Sequence, residues 1–257
     1  MKTELIILGC GNSIGVPRID GFWGHCKRKN IKNVRSRCSA AIIKGSNVIA
    51  IDTSPDIKKQ FTDNNITNLS SVIFTHEHAD QTNGLFELRP FLWKNKKPIN
   101  VYGNYKTISL LKKRFDYCFK QISKMYPPIV KANIVKRNFS LGRVKEKVNI
   151  KTISIKHGNI KCVGYIFKKT AYLSDCNDFS IVDKKEFKNL NYLIIDCLKI
   201  KKNLAHFNLE ECISIHHQLK PKKTILTNLH YDLDYDFLLR RLPKNMLPAY
   251  DGLKIVL

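Results

Sequence analysis

The segment best suited to chemistry is Thr-His-Glu-His-Ala-Asp at residues 75–80. It places His76, His78 and Asp80 within five positions, directly after the apolar run at 72–74. Loops that leave the ends of buried strands can aim several side chains at one point, so we expect these three to converge. Imidazole with carboxylate suits zinc, manganese or iron, and an open coordination position would make the site hydrolytic. A polar surface loop with incidental histidines is the alternative.

Further candidate ligands follow later strand-like runs. Each of three runs in the second half of the chain leads into a loop that carries a histidine or an aspartate. Four such strand ends in chain order are hard to explain by packing alone. The three later candidates are His157, Asp175 and His230, after residues 153–156, 171–174 and 224–227.

The order of the predicted elements indicates how these strand ends are brought together. Strands cluster, a helix follows, and the pattern repeats in the second half, which favours two face-to-face sheets with helices outside. Ser54 with Pro55 is predicted to begin the first helix, and Asn208 to cap the fourth. Strands are predicted near 4–8, 39–44, 47–51, 71–74, 99–102, 148–156, 161–167, 170–174, 192–196, 223–227 and 253–257, and helices near 55–63, 104–121, 179–187, 208–219 and 233–241.

Several short motifs together resemble metallo-β-lactamase-fold hydrolases, in the branch that holds tRNase Z and the phosphoribosyl 1,2-cyclic phosphate phosphodiesterases. The resemblance runs nearly end to end and is more specific for fold and metal chemistry than for substrate. The motifs are Leu8–Ser13 with Gly15-Val16-Pro17, Ile51–Asp56, Thr75–Asp80 with Gly84 and Leu88-Arg89-Pro90, Tyr117 and Phe119 with Tyr126-Pro127-Pro128, and His206–Glu211.

The resemblance implies an αββα four-layer metallo-β-lactamase sandwich, as a single domain over residues 1–257. It implies two divalent ions, zinc or manganese, with a water between them as the nucleophile. One ion is expected on His76, His78 and His157, and the other on Asp80 and His230, with Asp175 bridging. Asp80 and His206 are the expected catalytic residues, His206 protonating the leaving oxygen because an alkoxide needs an acid near pH 7.

The chain departs from the family pattern at the second metal. Position 81, where the family motif has a histidine, is Gln81, and Asn228 stands where relatives often have another. An amide is a poor replacement for imidazole, so the second ion is expected to bind more weakly. We keep His230 as its ligand because neutral imidazole binds metals better than an amide does. The cysteine cluster that holds a structural zinc in some relatives is reduced to Cys26, so no zinc is expected there.

Composition narrows the class of protein. No apolar run in the 257 residues approaches the roughly 20 needed to cross a bilayer, and the N-terminus does not read as a signal peptide. A cytoplasmic protein is therefore expected. The eight cysteines form no C-x-x-C pair, which fits reduced, buried thiols.

The net charge of +24 favours anionic partners. General lysine bias is the preferred explanation over a dedicated nucleic-acid face, because the lysines are spread along the chain.

The predicted function is a metal-dependent phosphodiesterase that acts on a small cyclic or nucleotide-like diester. The alternatives are an RNA-processing nuclease like tRNase Z, with RNA as partner, and a non-catalytic metal- or nucleic-acid-binding protein. Thioester or lactam hydrolysis is a further option, because fold alone does not determine function. A homodimer is left open.

Other parts of the chain are expected to surround or support the site. The long loop 10–37 and the segment 114–128 are predicted to shape the pocket, and His25 in that loop could touch substrate. His216 and His217 are adjacent in a predicted helix and cannot share one face, so both are predicted to be structural.

Overall fold

The computed structural model describes all residues 1–257, which form two seven-stranded mixed sheets. Each sheet begins with antiparallel neighbours and continues with parallel ones, so the carboxyl ends of the parallel strands meet at one edge. The strands of the first sheet are β1 (Glu4–Gly9), β2 (Ser39–Lys44), β3 (Asn47–Ile51), β4 (Ser71–Ile73), β5 (Ile99–Gly103) and β6 (Val130–Ile134), with β14 (Leu253–Val256) beside β1.

The second sheet repeats this plan. Its longest pairing joins β8 and β9 antiparallel from Lys151–Ile166 to His157–Ile160, and β10, β11, β12 and β13 then run parallel. Its strands are β7 (Asn138–Leu141), β8 (Val148–His157), β9 (Ile160–Phe167), β10 (Thr170–Leu173), β11 (Tyr192–Asp196), β12 (Lys223–Thr227) and β13 (Met246–Pro248).

Alternation along the strands builds three apolar layers, as the period-2 geometry of a strand requires. In β1, Leu5 and Ile7 face the second sheet, whereas Ile6 and Leu8 face helices on the outside. The middle layer combines residues of both sheets, such as Ile51 and Tyr165. The two sheets therefore pack face to face and are covered on both outer sides, which confirms the four-layer αββα sandwich.

Helices cover the two outer faces. Phe61, Leu92 and Leu111 from three helices join the core outside the first sheet, and Cys212 and Leu238 join the core outside the second. The helices are α1 (Ile57–Asp63), α2 (Ala79–Thr82), α3 (Arg89–Asn95), α4 (Tyr105–Arg114), α5 (Asp116–Phe119), α6 (Leu209–Leu219) and α7 (Tyr235–Arg241), with 3₁₀ turns at Ile31–Asn33, Asn83–Leu88, Val144–Glu146 and Lys184–Phe187.

Every predicted strand is present, but three were missed: β6, β7 and β13. The predicted helix 104–121 breaks at Phe115 into α4 and α5, and the helix predicted over 179–187 is only a 3₁₀ turn at Lys184–Phe187. The predicted start at Ser54-Pro55 is wrong, because the N-cap of α1 is Asp56. The cap at Asn208 is confirmed: Asn208 and Glu211 form a reciprocal capping box.

All eight cysteines are buried with free thiols. Burial raises the pKa of several of them, including Cys38 and Cys162, so these thiols stay protonated and behave as core residues. None of the helices combines the length and the apolar character that crossing a membrane would need.

Candidate metal centre and active site

Most of the candidate ligands lie in loops that leave the parallel strands at one edge of the two sheets, and His157 is the last residue of the antiparallel strand β8. Three of these loops begin with a residue of positive φ: Asp52 at 64°, Asp175 at 49° and Asn228 at 62°. Aspartate and asparagine tolerate this left-handed conformation better than most residues. At such a turn the chain leaves the strand sharply, so the short polar side chain lies at the sheet edge instead of continuing the strand's alternation.

Three histidines form the centre of the site. The ring centroids of His76 and His78 lie 4.4 Å apart, and the ring of His157 lies 5.4 Å from the first and 5.2 Å from the second. One ligand nitrogen from each lies within 4.8 Å of the other two. Burial lowers the pKa of His76, as do its neighbours His78 and His157. His76 is therefore neutral, the form in which imidazole binds a metal.

A hydrogen-bonded relay orients His76. The Asp52 carboxylate accepts bonds from the backbone N–H and the hydroxyl of Thr75, both at 2.8 Å. The Thr75 oxygen in turn lies 3.0 Å from Nδ1 of His76. With the Thr75 hydroxyl donating to Asp52, Nδ1–H of His76 donates to Thr75, and Nε2 keeps its lone pair. Burial raises the pKa of Asp52 to about 8, and a divalent cation nearby would favour its anionic form.

His157 is oriented in a similar way. Its Nδ1–H donates to the carbonyl oxygen of Ala205 at 2.8 Å, which directs Nε2 toward the other two histidines. Burial lowers the pKa of His157. The partner is a backbone group from the loop between β11 and α6, so the second sheet fixes one ligand of a cluster whose other members come from the first.

The three histidines fit a divalent metal ion. Nε2 of His76 is buried and has no hydrogen-bond partner, which would be costly for a polar atom unless something binds it. Three imidazoles, with hydrogen bonds fixing the tautomer of His76 and His157, are a donor set typical of zinc or manganese in catalytic sites. The sequence predicted this set, and the structure brings its three members together.

The carboxylates beside this cluster are bonded to amides. The NH₂ group of Gln81 lies 3.0 Å from Oδ2 of Asp175 and 3.3 Å from Oδ2 of Asp80. The NH₂ group of Asn228 lies 3.2 Å from Oδ1 of Asp175 and 3.3 Å from Oδ1 of Asp196. Both oxygens of the buried Asp175 therefore accept hydrogen bonds from neutral amides.

His206 stands on the other side of His157, with the two ring centroids 4.6 Å apart. Its Nδ1 lies 2.6 Å from Oδ2 of Asp196. Burial lowers the pKa of His206, but the carboxylates of Asp196, Asp175 and Asp80, with Asp196 first, together raise that pKa to about 9. A ligand nitrogen of His206 also lies within 4.8 Å of a ligand nitrogen of His157 and a carboxylate oxygen of Asp175, so the structure places His206 inside the polar cluster.

His230 is more distant. Its Nδ1 lies 3.1 Å from a carboxylate oxygen of Asp232, and its ring packs against Tyr231 with 3.6 Å between the centroids and 37° between the ring planes. It lines the same cavity as His78, His157 and His206 but belongs to neither group of converging ligand atoms. The buried Arg35 holds this loop by donating to the carbonyl oxygens of His230 at 3.1 Å and Leu233 at 2.7 Å.

Asp80, Asp175 and His230, the predicted ligands of a second ion, do not converge on one point as the three histidines do. The two converging groups are His76 with His78 and His157, and His157 with Asp175 and His206. Both groups include His157. Because its Nδ1 is hydrogen-bonded to the carbonyl oxygen of Ala205, only its Nε2 can act as a ligand in either group.

These residues enclose a cavity of about 270 Å³. Residues 12–14 of the long N-terminal loop form one wall, as predicted, with Leu198 beside them. The prediction for segment 114–128 is wrong, because none of its residues lines this cavity. Arg114 instead donates to the carbonyl oxygen of Glu77 at 2.8 Å and supports the metal motif from behind.

Sequence reasoning missed Asp52, Asp196 and Arg35 as members of the site. Asp52 lies within one of the family motifs, but its role depends on its hydrogen bond with Thr75. That bond joins the ends of two parallel strands, so it is not visible in the sequence. Asp196 ends the strand β11, and a carboxylate at that position is the signal that could have found it. His216 binds Thr224 away from the site and His217 is exposed, as their structural prediction requires.

Comparison with known proteins identifies the class. The family model described as "Beta-lactamase superfamily domain" matches residues 47–231. The chain therefore belongs to the β-lactamase superfamily, and its fold and site define a metal-dependent hydrolase of the metallo-β-lactamase fold, for which divalent-metal binding is implied.

Solved structures locate the branch within that class. A diphosphatase of the PhnP family is 28% identical, with a TM-score of 0.90 over 100% of this chain and 98% of that one. Zn²⁺-bound PqqB from Methylobacterium extorquens is 15% identical, with a TM-score of 0.77 over 99% and 100% of the two chains. The short form of human tRNase Z is 14% identical, with a TM-score of 0.68 over 98% of each. The resemblance to the branch of PhnP and tRNase Z is confirmed.

A curated relative has a different name. An octanoyltransferase of Porphyromonas gingivalis (strain ATCC BAA-308 / W83) is 28% identical over 255 residues, which cover 98% of this chain and 51% of that protein. The chain thus spans about half the length of this relative. The activity in its name belongs to a protein with about as much chain again outside the match.

Proposed function

We propose that the protein is a metal-dependent phosphodiesterase that hydrolyses a small cyclic or nucleotide-like phosphodiester. The observation that carries the proposal is the placement of His206 beside the three-histidine cluster, with its Nδ1 bonded to Asp196 at 2.6 Å. A three-histidine metal site by itself would fit many kinds of hydrolase. A histidine held by a carboxylate at the same cavity adds a proton donor, which a poor leaving group such as a sugar alkoxide requires.

Each residue has a distinct role in this proposal. His76, His78 and His157 would hold a divalent ion, zinc or manganese, which supplies Lewis-acid chemistry at a phosphate oxygen and makes a nearby water more acidic. Asp196 holds the His206 ring in place and favours its protonated form. His206 then gives a proton from Nε2 to the departing oxygen, and Asp196 stabilises the imidazolium until transfer.

The cavity and its charge support a small anionic substrate. At about 270 Å³ the cavity is near the lower end of the range for ligand sites, which suits a single phosphorylated sugar or nucleoside. Arg18 and Lys199 lie close enough to His230 to lower its pKa further, after the larger effect of burial. The net charge of +24 would also attract an anionic phosphate to the protein.

The solved structure that is 28% identical is named a diphosphatase, so diphosphates are a second class of substrate to test. When the P–O–P bond of a diphosphate diester is hydrolysed, the leaving group is a phosphate monoester. This group is a stable anion and needs no protonation. A sugar alkoxide does need it. The panel for metal-loaded protein should therefore contain bis-p-nitrophenyl phosphate, a ribose cyclic phosphate, a dinucleoside diphosphate and a precursor tRNA.

His206→Ala tests the assigned role. Loss of a general acid should lower turnover of the ribose cyclic phosphate by roughly 10²–10⁴-fold and of the p-nitrophenyl ester far less, because p-nitrophenolate is stable as an anion. Metal content should be unchanged. His217→Ala, an exposed histidine on α6, is the matched control and should resemble the parent. Equal losses on both substrates with metal retained would contradict the acid role, and metal depletion would make His206 a ligand.

The net charge of +24 supports one alternative function, RNA processing. The same experiments can test it. A protein that contacts six or more phosphates loses on the order of 10³-fold in affinity between 50 and 200 mM salt. Activity on a small diester should change little over that range. Tight tRNA binding with the steep slope, together with cleavage of the precursor, would replace the small-substrate proposal.

A further inference from the structure

We propose that this chain holds one divalent ion, on His76, His78 and His157, and that the amides of Gln81 and Asn228 take the place of a second. The inference rests on the metal centre of the proposed function and concerns the carboxylates beside it. Those carboxylates, Asp80 and Asp175, would be the natural ligands of another ion.

The Gln81 side chain joins the two carboxylates through a single amide group. Its Nε2 lies 3.0 Å from Asp175 Oδ2 and 3.3 Å from Asp80 Oδ2, so one amide hydrogen is directed to each carboxylate. An ion that bound the same two oxygens would compete with the amide for their lone pairs. These hydrogen bonds therefore weaken both oxygens as ligands of a second ion.

Asn228 completes the arrangement on the other oxygen of Asp175. Its NH₂ group lies 3.2 Å from Asp175 Oδ1 and 3.3 Å from Asp196 Oδ1, so its two hydrogens are also divided between two carboxylates. The result is a continuous chain of side chains in which carboxylates and amides alternate: Asp80, Gln81, Asp175, Asn228 and Asp196, ending at His206.

The remaining histidine and carboxylate groups do not supply a second site. The group of His157, Asp175 and His206 shares one imidazole nitrogen with the three-histidine group, and one nitrogen binds one ion. His230, the other imidazole of the cavity, is bonded to Asp232 and is in neither group. The converging ligand atoms therefore suffice for a single ion.

The Gln81→Glu substitution tests the inference, because it replaces the bridging NH₂ by a third carboxylate oxygen at nearly unchanged volume. Three converging carboxylates repel one another unless a cation joins them. Metal bound per chain would be measured by elemental analysis and by titration with Zn²⁺ and with Mn²⁺ on the full chain. We expect one tight equivalent in the parent and a second in Gln81→Glu.

Gln60→Glu is the matched control. Gln60 is also buried, and its amide also bonds only to protein, through Ser36 and the carbonyl oxygen of Arg37. It should bind one equivalent, like the parent. Two equally tight ions in the parent would overturn the inference while leaving the proposed function standing. A folded Gln81→Glu with one ion would overturn the role of the amide, and a parent without any tight ion would overturn the proposed metal centre itself.

Discussion

Asp52 touches no candidate metal ion, yet Asp52→Asn should weaken metal binding at His76. In the parent, the carboxylate accepts from the Thr75 hydroxyl at 2.8 Å, so that hydroxyl is free to accept from His76 Nδ1–H at 3.0 Å. An asparagine that keeps the bond from the Thr75 N–H must present its NH₂ to the hydroxyl oxygen. The hydroxyl then donates to His76 Nδ1, which moves the imidazole proton to Nε2 and blocks the ligand atom.

The size of the effect follows from the bonds that change. Two hydrogen bonds to a charged acceptor, each worth about 1.5–3 kcal/mol, become bonds to a neutral amide worth about 1 kcal/mol. The net loss of about 2 kcal/mol corresponds to roughly 30-fold in metal affinity, within the 10–100-fold range typical for residues that orient metal ligands. Competition between the protein and a chromophoric zinc chelator measures this affinity directly.

Three further substitutions distinguish loss of the relay from general damage to the fold. Thr75→Val removes the hydroxyl and should weaken zinc binding about as much as Asp52→Asn, whereas Thr75→Ser keeps it and should resemble the parent. Asp251→Asn makes the same charge change at a carboxylate that binds Cys10 and Ser36 instead of the histidine relay, and should leave affinity within about twofold. If folded Asp52→Asn binds zinc as tightly as Asp251→Asn does, the tautomer reasoning is refuted.

Three other outcomes are expected. Removing the metal with a chelator should lower the melting temperature by about 5–10 °C, because an ion at 100 times its Kd stabilises the fold by about 2.7 kcal/mol, and an unchanged melting curve would argue against a resident ion. Asp196→Asn should lower turnover of an alkyl diester roughly 10²-fold, through His206, with metal content unchanged; equal loss on a p-nitrophenyl ester would place its effect elsewhere. Gly84→Ala should cost about 2 kcal/mol or more in chemical denaturation, since a Cβ there would collide with the carbonyl oxygens of Ser54 and Thr53, whereas Gly103→Ala, where a Cβ would meet only side-chain atoms at 3.3 Å or more, should cost less.

Local pattern determined much of the fold from the sequence. Apolar strands such as β4 and β12 are short runs between polar turns, and the cap at Asn208 depends on residues within one helical turn. These signals are local, so they can be read without knowing the topology. The three strands that were missed, β6, β7 and β13, have three to five residues and lie at the edges of their sheets, where burial leaves a weaker apolar pattern.

The sequence by itself also singled out the three-histidine cluster, because His76 and His78 lie two residues apart and His157 ends a long strand. It could not decide what surrounds them. That Gln81 and Asn228 donate to Asp175, and that Asp52 and Asp196 hold His76 and His206, depends on contacts between residues 10 to 94 positions apart. Only the tertiary structure determines such contacts, because they form where the ends of separate strands meet at one edge of the sandwich.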